Sequence, residues 1–144
     1  MQWGNVVSWI LIVAGWAVIN AQNNSRETRK EIRAALLDLY ELLDEIEDDA
    51  FSYHTGTTGD AALARKIKRN ISQISTRIKL ALRDKLECEY ARPLVAFRKS
   101  ITLSNFDSNK FLSKSADSKF FNDISDAKQS LIVVLDRAFN AKFK

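Results

Sequence analysis

The side chains of this chain that could do covalent chemistry are few and widely separated. The sequence contains one histidine, His54, and one cysteine, Cys88. Glutamates flank Cys88 on both sides, an environment that disfavours a reactive thiolate, so we expect a small packing residue there. A single histidine and a single cysteine also exclude an intramolecular disulfide framework and most histidine-based metal sites.

Known catalytic and phosphate-binding motifs are also missing from the sequence. The turn Gly56-Thr-Thr-Gly59 lacks the Gly-Lys-Ser/Thr ending of a phosphate-binding loop, and no serine lies in a Gly-x-Ser-x-Gly elbow. We therefore expect a protein that is not an enzyme, with no catalytic residue, no metal site and no cofactor.

A basic cluster, Arg65-Lys66-x-Lys68-Arg69, suggests contact with nucleic acid, as does the calculated pI of about 9.3. However, residues 34–53 carry seven acidic side chains and no basic one, and this stretch can neutralise the cluster within the chain. No aromatic side chains interleave with the bases to stack on nucleotides. The balance argues against a nucleic-acid partner.

The composition predicts an all-α fold. The 144 residues include only four glycines and one proline, too few for the many tight turns of a β-sandwich or barrel. Hydrophobic residues make up 46% and charged residues 28%, which is typical of a folded chain.

The first 25 residues carry no charged side chain, and residues 6–19 are almost wholly apolar. The twenty uncharged residues 3–22 would form a helix about 30 Å long, which matches the hydrocarbon core of a bilayer. A cleaved signal peptide would need a cationic start and a small-residue cleavage site, and a buried core helix is the other alternative. We predict a transmembrane helix over residues 1–25.

A basic neck follows this segment directly, and no positive charge precedes it. By the positive-inside rule the N-terminus lies outside and residues 26–144 lie in the cytoplasm, at a bacterial inner membrane. The same side chains would meet lipid headgroups. The neck comprises Arg26, Arg29, Lys30 and Arg33.

A heptad-like seam of apolar residues follows the neck, in a helix predicted over about 26–54. The seam could be the core of a bundle or the interface of a homo-oligomer. Its residues are Ile32, Leu36, Leu39, Leu43 and Ile46. When the heptad spacing of the seam is extended towards the N-terminus, small residues fall at the equivalent positions of the membrane segment, and small residues allow membrane helices to approach closely. With two nearby asparagines, these candidates for helix packing or pore lining are Gly4, Asn5, Ser8, Gly15 and Asn20.

Three further helices complete the predicted cytoplasmic antiparallel bundle. A glycine-containing turn over 54–60 ends the first helix, and Asp60 is a good N-cap for the next one, over about 61–91. Pro93 predicts a break before a helix over 93–103. Asp117 or Ser118 begins the last helix, over 117–142.

The N-terminal quarter of the chain resembles small bacterial single-pass membrane proteins to which no activity is attached. The likeness rests on WGNVVSW over residues 3–9, on Gly15-Trp16 and on QNNSRETRKEIR over residues 22–33. The chain also looks like the membrane accessory proteins that are found with some RNA-targeting CRISPR systems. This likeness is limited to the arrangement of one membrane helix followed by a helical cytoplasmic part. Those accessory proteins assemble into rings.

These patterns lead to one functional expectation and two alternatives. We expect a non-enzymatic, single-pass membrane protein that self-associates as a homo-oligomer and scaffolds partners at the inner membrane, with the lipid bilayer as its one identified partner. The first alternative is a membrane-perturbing pore or a toxin-like effector of antiviral defence. The second is a soluble helical adaptor in which residues 6–19 form a core helix.

Overall fold

The computed structural model describes residues 3–82, 89–103 and 105–143, with the side chains of residues 3–8 and 10 left out. Within these ranges the chain is all α-helical, as predicted, and contains four helices and no strand. The helices are α1 (Trp3–Thr55), α2 (Ala61–Leu82), α3 (Ala91–Thr102) and α4 (Lys119–Lys142).

Helix α1 is uninterrupted over 53 residues and is about 80 Å long. Its second half packs against α2 and α4, and α3 packs against α4. Lys66 contacts Glu45 and Asp49, so α2 runs back along α1 from the intervening turn. Contacts between α1 and α4 also run in opposite directions along the two helices, which makes this pair antiparallel as well.

The predicted seam of α1 lies in the core of the single chain. Its five residues, Ile32, Leu36, Leu39, Leu43 and Ile46, are buried together with apolar side chains from the other three helices. Phe97 of α3 and Leu131 and Leu135 of α4 are fully buried in the same core.

Two of the predicted helix starts are confirmed by their hydrogen bonds. The Asp60 carboxylate accepts from the backbone N–H groups of Ala62 and Leu63, at 2.8 and 3.0 Å, and so caps α2. The Ser118 hydroxyl accepts from the N–H of Phe120 and caps α4.

The predicted break at Pro93 is displaced. Helix α3 begins at Ala91, so Pro93 lies in its first turn, where a missing N–H costs no helical hydrogen bond. Helix α2 is described as far as Leu82, and because residues 89 and 90 are not helical, it does not reach residue 91. Residues 83–88, including Cys88, lie outside the described ranges.

The predicted transmembrane helix over residues 1–25 is not supported. No helix is long and apolar enough to cross a membrane in the part of the chain that the structure describes. The described apolar side chains cover residues 9–19, a helical length of about 16 Å, and polar residues begin at Asn20. The share of this prediction that falls on the side chains of residues 1–8 and 10 lies outside the description.

Candidate functional site

The N-terminal half of α1 extends beyond the bundle with its apolar side chains uncovered. Every described side chain from Trp9 to Glu27 is exposed. Trp9 is 67% exposed and Trp16 is 71% exposed, although large aromatic side chains are normally well covered in a folded domain. We call residues 9–19 the apolar segment.

The apolar segment is hydrophobic around its whole circumference. Leu11, Ile12 and Val13 are each more than 60% exposed, and successive residues of a helix point about 100° apart. The segment therefore lacks the polar face that a surface helix of a soluble bundle presents to water. Contiguous uncovered apolar surface of this kind marks an interaction site.

Among the residues predicted for helix packing or pore lining, only Gly15 and Asn20 fall within the described side chains, and neither is covered by another part of the chain. A side chain at Gly15 would meet no atom within 4 Å, and Asn20 is exposed. Gly4, Asn5 and Ser8 lie within α1, and their side chains are outside the described set.

The four bases of the basic neck lie where α1 enters the bundle. Arg33 donates to Asp136 of α4 at 3.0 Å, and its guanidinium lies 5.6 Å from the centre of the Phe139 ring. Arg26, Arg29 and Lys30 are exposed and form no ion pair with any residue that the structure describes.

An open groove lies between the basic neck and the C-terminal end of α4. Its volume is about 610 Å³. We call it the neck groove; it is lined by Arg29, Lys30, Arg33, Ala34 and Leu37 of α1 and by Asp136, Phe139 and Asn140 of α4. The bases were predictable from the sequence, but the three residues of α4 were not, since they lie about 100 positions further along the chain and no local pattern pairs them with the neck.

His54 is fully buried at the far end of α1. Its Nε2 lies 3.1 Å from the carbonyl oxygen of Ile101, so Nε2 carries the hydrogen and donates it. Its Nδ1 is buried without a hydrogen-bond partner among the described residues, and the rings of Tyr53, Phe106 and Phe120 surround it. Burial lowers the pKa of His54 below its usual value, and the Ile101 carbonyl opposes part of this shift. With 0% exposure, the ring is inaccessible to a substrate.

The acidic stretch of α1 is neutralised from both sides. Lys66 of α2 pairs with Glu45 and Asp49, at 2.9 and 2.8 Å, and these hydrogen bonds raise the pKa of its ammonium group. Lys128 of α4 pairs with Asp44 and Glu47. The predicted attraction between the acidic stretch and α2 is confirmed, whereas the contribution of α4 was not foreseen.

The basic cluster of α2 is partly occupied within the chain. Lys66 faces α1, Lys68 pairs with Asp107, and the Nε of Arg65 donates to the carbonyl of Ala61 at 3.2 Å. Arg69 is exposed. The cluster therefore presents less free positive charge than its sequence suggests.

No metal-binding constellation occurs in the described ranges: no three histidine, cysteine, aspartate or glutamate side chains lie close enough to hold an ion. Comparisons of the chain with protein-family models, with curated proteins and with solved structures found no match. The candidate functional features of the described chain are therefore the apolar segment and the basic neck.

Proposed function

We propose that this protein is a non-enzymatic, membrane-anchored helical protein. The apolar segment of α1 inserts into lipid, the basic neck contacts the headgroups, and the bundle is held at the cytoplasmic face of a bacterial inner membrane. In the finer form of the proposal, the uncharged residues 1–8 complete a single pass with the N-terminus outside.

The single observation that carries this proposal is the uncovered, all-round apolar surface of residues 9–19. A protein partner that docks on a helix covers one face of it, as in helix-in-groove recognition. Lipid solvates a helix on every side and requires no polar face. The change from uncharged to basic residues at Arg26 lies where an inserted helix would reach the headgroups.

Self-association and the scaffolding of partners form a second layer of the proposal. Since the seam residues of α1 are occupied by the bundle core, they offer no interface to another copy. The segment around Gly15 is open and small enough for close helix approach, so we assign the contact between copies to this segment.

Tryptophan fluorescence tests lipid insertion in the full chain. All three tryptophans, Trp3, Trp9 and Trp16, lie in the N-terminal segment, so the emission reports on this segment alone. On addition of phospholipid vesicles, we expect the emission to shift to shorter wavelength and to be quenched by lipids brominated on their acyl chains. Emission that does not change, with protein that does not float with vesicles, would overturn the proposal.

A matched pair of variants controls the experiment. Ile12→Lys places a charge in the apolar segment at a cost of about 3 kcal/mol, so it should reduce flotation strongly. Asn23→Lys adds the same charge to the same exposed helix, outside the apolar segment and next to the basic neck, and should not reduce flotation. Equal behaviour of the two variants would show that insertion of the segment is not what binds the vesicles.

The same preparation separates the alternatives. Release of a dye from vesicles by the full chain would favour the pore or effector, and a protein that binds no vesicles would favour the helical adaptor. We expect binding without release, because the segment carries no charged side chain that could line an ion path.

A further inference from the structure

The neck groove lies at the point where α1 leaves the bundle, immediately after the apolar segment. About two helical turns separate Ile19 from Arg26, and Arg29 and Lys30 follow within another turn. A helix inserted as proposed above would therefore bring the groove to the headgroup layer.

Two of the three basic side chains in the groove, Arg29 and Lys30, extend into solvent, and the third, Arg33, is held in place by contacts with α4. Arg29 and Lys30 are exposed and have no ion-pair partner in the described part of the chain. The Arg33 guanidinium is held by Asp136 and lies over the Phe139 ring, so little side-chain entropy remains to be lost when an anion arrives.

The one acid of the groove does not oppose an anion strongly. The Asp136 carboxylate accepts from Arg33 at 3.0 Å and from the Tyr40 hydroxyl at 2.8 Å. With three bases and one satisfied carboxylate, the groove is electropositive.

The remaining wall is apolar apart from one amide. Ala34, Leu37 and Phe139 line it, and Asn140 adds a neutral hydrogen-bond donor. Hydrogen bonds from the charged side chains to a bound anion are stronger than those between neutral groups.

We propose that the neck groove is a binding site for the phosphate of an anionic phospholipid headgroup, with Arg29 and Lys30 as its principal ligands. This inference rests on the proposed membrane attachment and adds a lipid preference to it. Binding of a phosphate in the groove differs from general attraction to an anionic surface, because it depends on the forked geometry of the Arg29 guanidinium and not on charge alone.

The test uses the full chain and compares vesicles of neutral phosphatidylcholine with vesicles that contain phosphatidylglycerol. Tryptophan emission measures binding, in salt high enough to screen long-range attraction. We expect the wild type to retain a preference for the anionic vesicles. Arg29→Lys keeps the charge but loses the fork, and should reduce this preference about tenfold.

Arg98→Lys is the matched control, since Arg98 is an exposed arginine of α3 that belongs neither to the basic neck nor to the lining of the groove. Its preference should stay within about twofold of wild type. Equal preferences in the two variants, or none in the wild type at high salt, would overturn the groove while leaving vesicle binding intact. If the wild type bound neither kind of vesicle, the proposed function itself would fail, and the groove with it.

Inorganic phosphate distinguishes a lipid ligand from a free one. Added to the anionic vesicles, it should leave the preference unchanged, because an anchored headgroup is presented at high effective concentration. Loss of the preference at millimolar phosphate would identify the groove as a site for soluble phosphate and overturn the lipid assignment.

Discussion

At the scale of single residues, the surroundings of His54 disfavour a charged ring. Its ring is enclosed by aromatic side chains, and its Nδ1, which would take the second proton, has no hydrogen-bond acceptor among the described residues. Burial lowers its pKa, with the nearby Lys114 ammonium acting in the same direction. The neutral ring is therefore the form that the fold accommodates.

This environment predicts a pH-dependent stability. As the pH falls, His54 takes up a proton in the unfolded chain before it does so in the folded one, because its pKa is lower in the folded state. The free energy of unfolding should therefore have its full value above pH 6.5, the ordinary pKa of histidine, and should decrease as the pH drops from there towards the lowered pKa of the folded state. Each pH unit of that window removes about 1.4 kcal/mol. Urea unfolding between pH 8 and pH 5 measures the effect.

His54→Asn is the control for this titration. As His54 is the only histidine, the variant should lose the slope between pH 5 and pH 7 even if its overall stability is lower. An unchanged slope in the variant would assign the pH dependence to other groups.

The sequence revealed the composition of this cluster but not its arrangement. It showed that His54 precedes a turn, and it could not show that Phe106 and Phe120 fold back over the ring. Such contacts depend on the path of the connection between α3 and α4, for which the sequence carries no periodic signal.

At the scale of elements, α1 is stabilised by opposite charge on two neighbouring helices. Lys128 illustrates the balance: burial alone would lower the pKa of its ammonium group, but hydrogen bonds to Asp44 and Glu47 outweigh burial and raise it. The Lys128 side chain is 14% exposed, so this pair is better shielded from water than a typical surface ion pair.

Replacing the lysine should therefore destabilise the packing of α4 on α1. We expect Lys128→Ala to lower the free energy of unfolding by about 1–2 kcal/mol, because Glu47 is left half-buried without its cation. Arg137→Ala removes an exposed cation from the same helix and should change stability by less than about 0.5 kcal/mol. Thermal unfolding followed by circular dichroism measures both, and losses of equal size would contradict the role given to Lys128.

The ends of the elements were predictable where a side chain acts locally. Asp60 and Ser118 cap their helices through bonds to residues two or three positions away, and such patterns are visible in a sequence. Proline gives a weaker signal, since Pro93 is compatible with either a break or a first helical turn.

At the scale of the whole molecule, the sequence predicted an all-α bundle and an exceptional N-terminal segment. The neck groove was beyond its reach, because Arg33 and Asp136 are brought together only by the antiparallel packing of α1 and α4. The seam was open to two interpretations for a related reason. A run of apolar residues predicts burial but does not say which chain covers it.

Gly15→Leu tests whether copies meet through the apolar segment. Within one chain the new side chain meets nothing and replaces a poor helix former, so the thermal stability of the bundle should not fall. If small residues let the segments approach, the mass of the detergent-solubilised protein should drop from that of an oligomer to that of a monomer. Mass photometry of both proteins decides this, and identical masses would contradict the interface.

The continuity of α1 has a mechanical consequence. Glycine and proline are absent between Trp16 and Thr55, so there is no hinge at which the two halves could bend independently. The stretch from Lys30 to Thr55 acts as a lever about 37 Å long. In the proposed membrane-bound form, a change of about 20° in the tilt of the N-terminal half of α1 would swing the distal turn sideways by about 13 Å. The thickness of the surrounding bilayer would thus set the position of the outer end of the bundle.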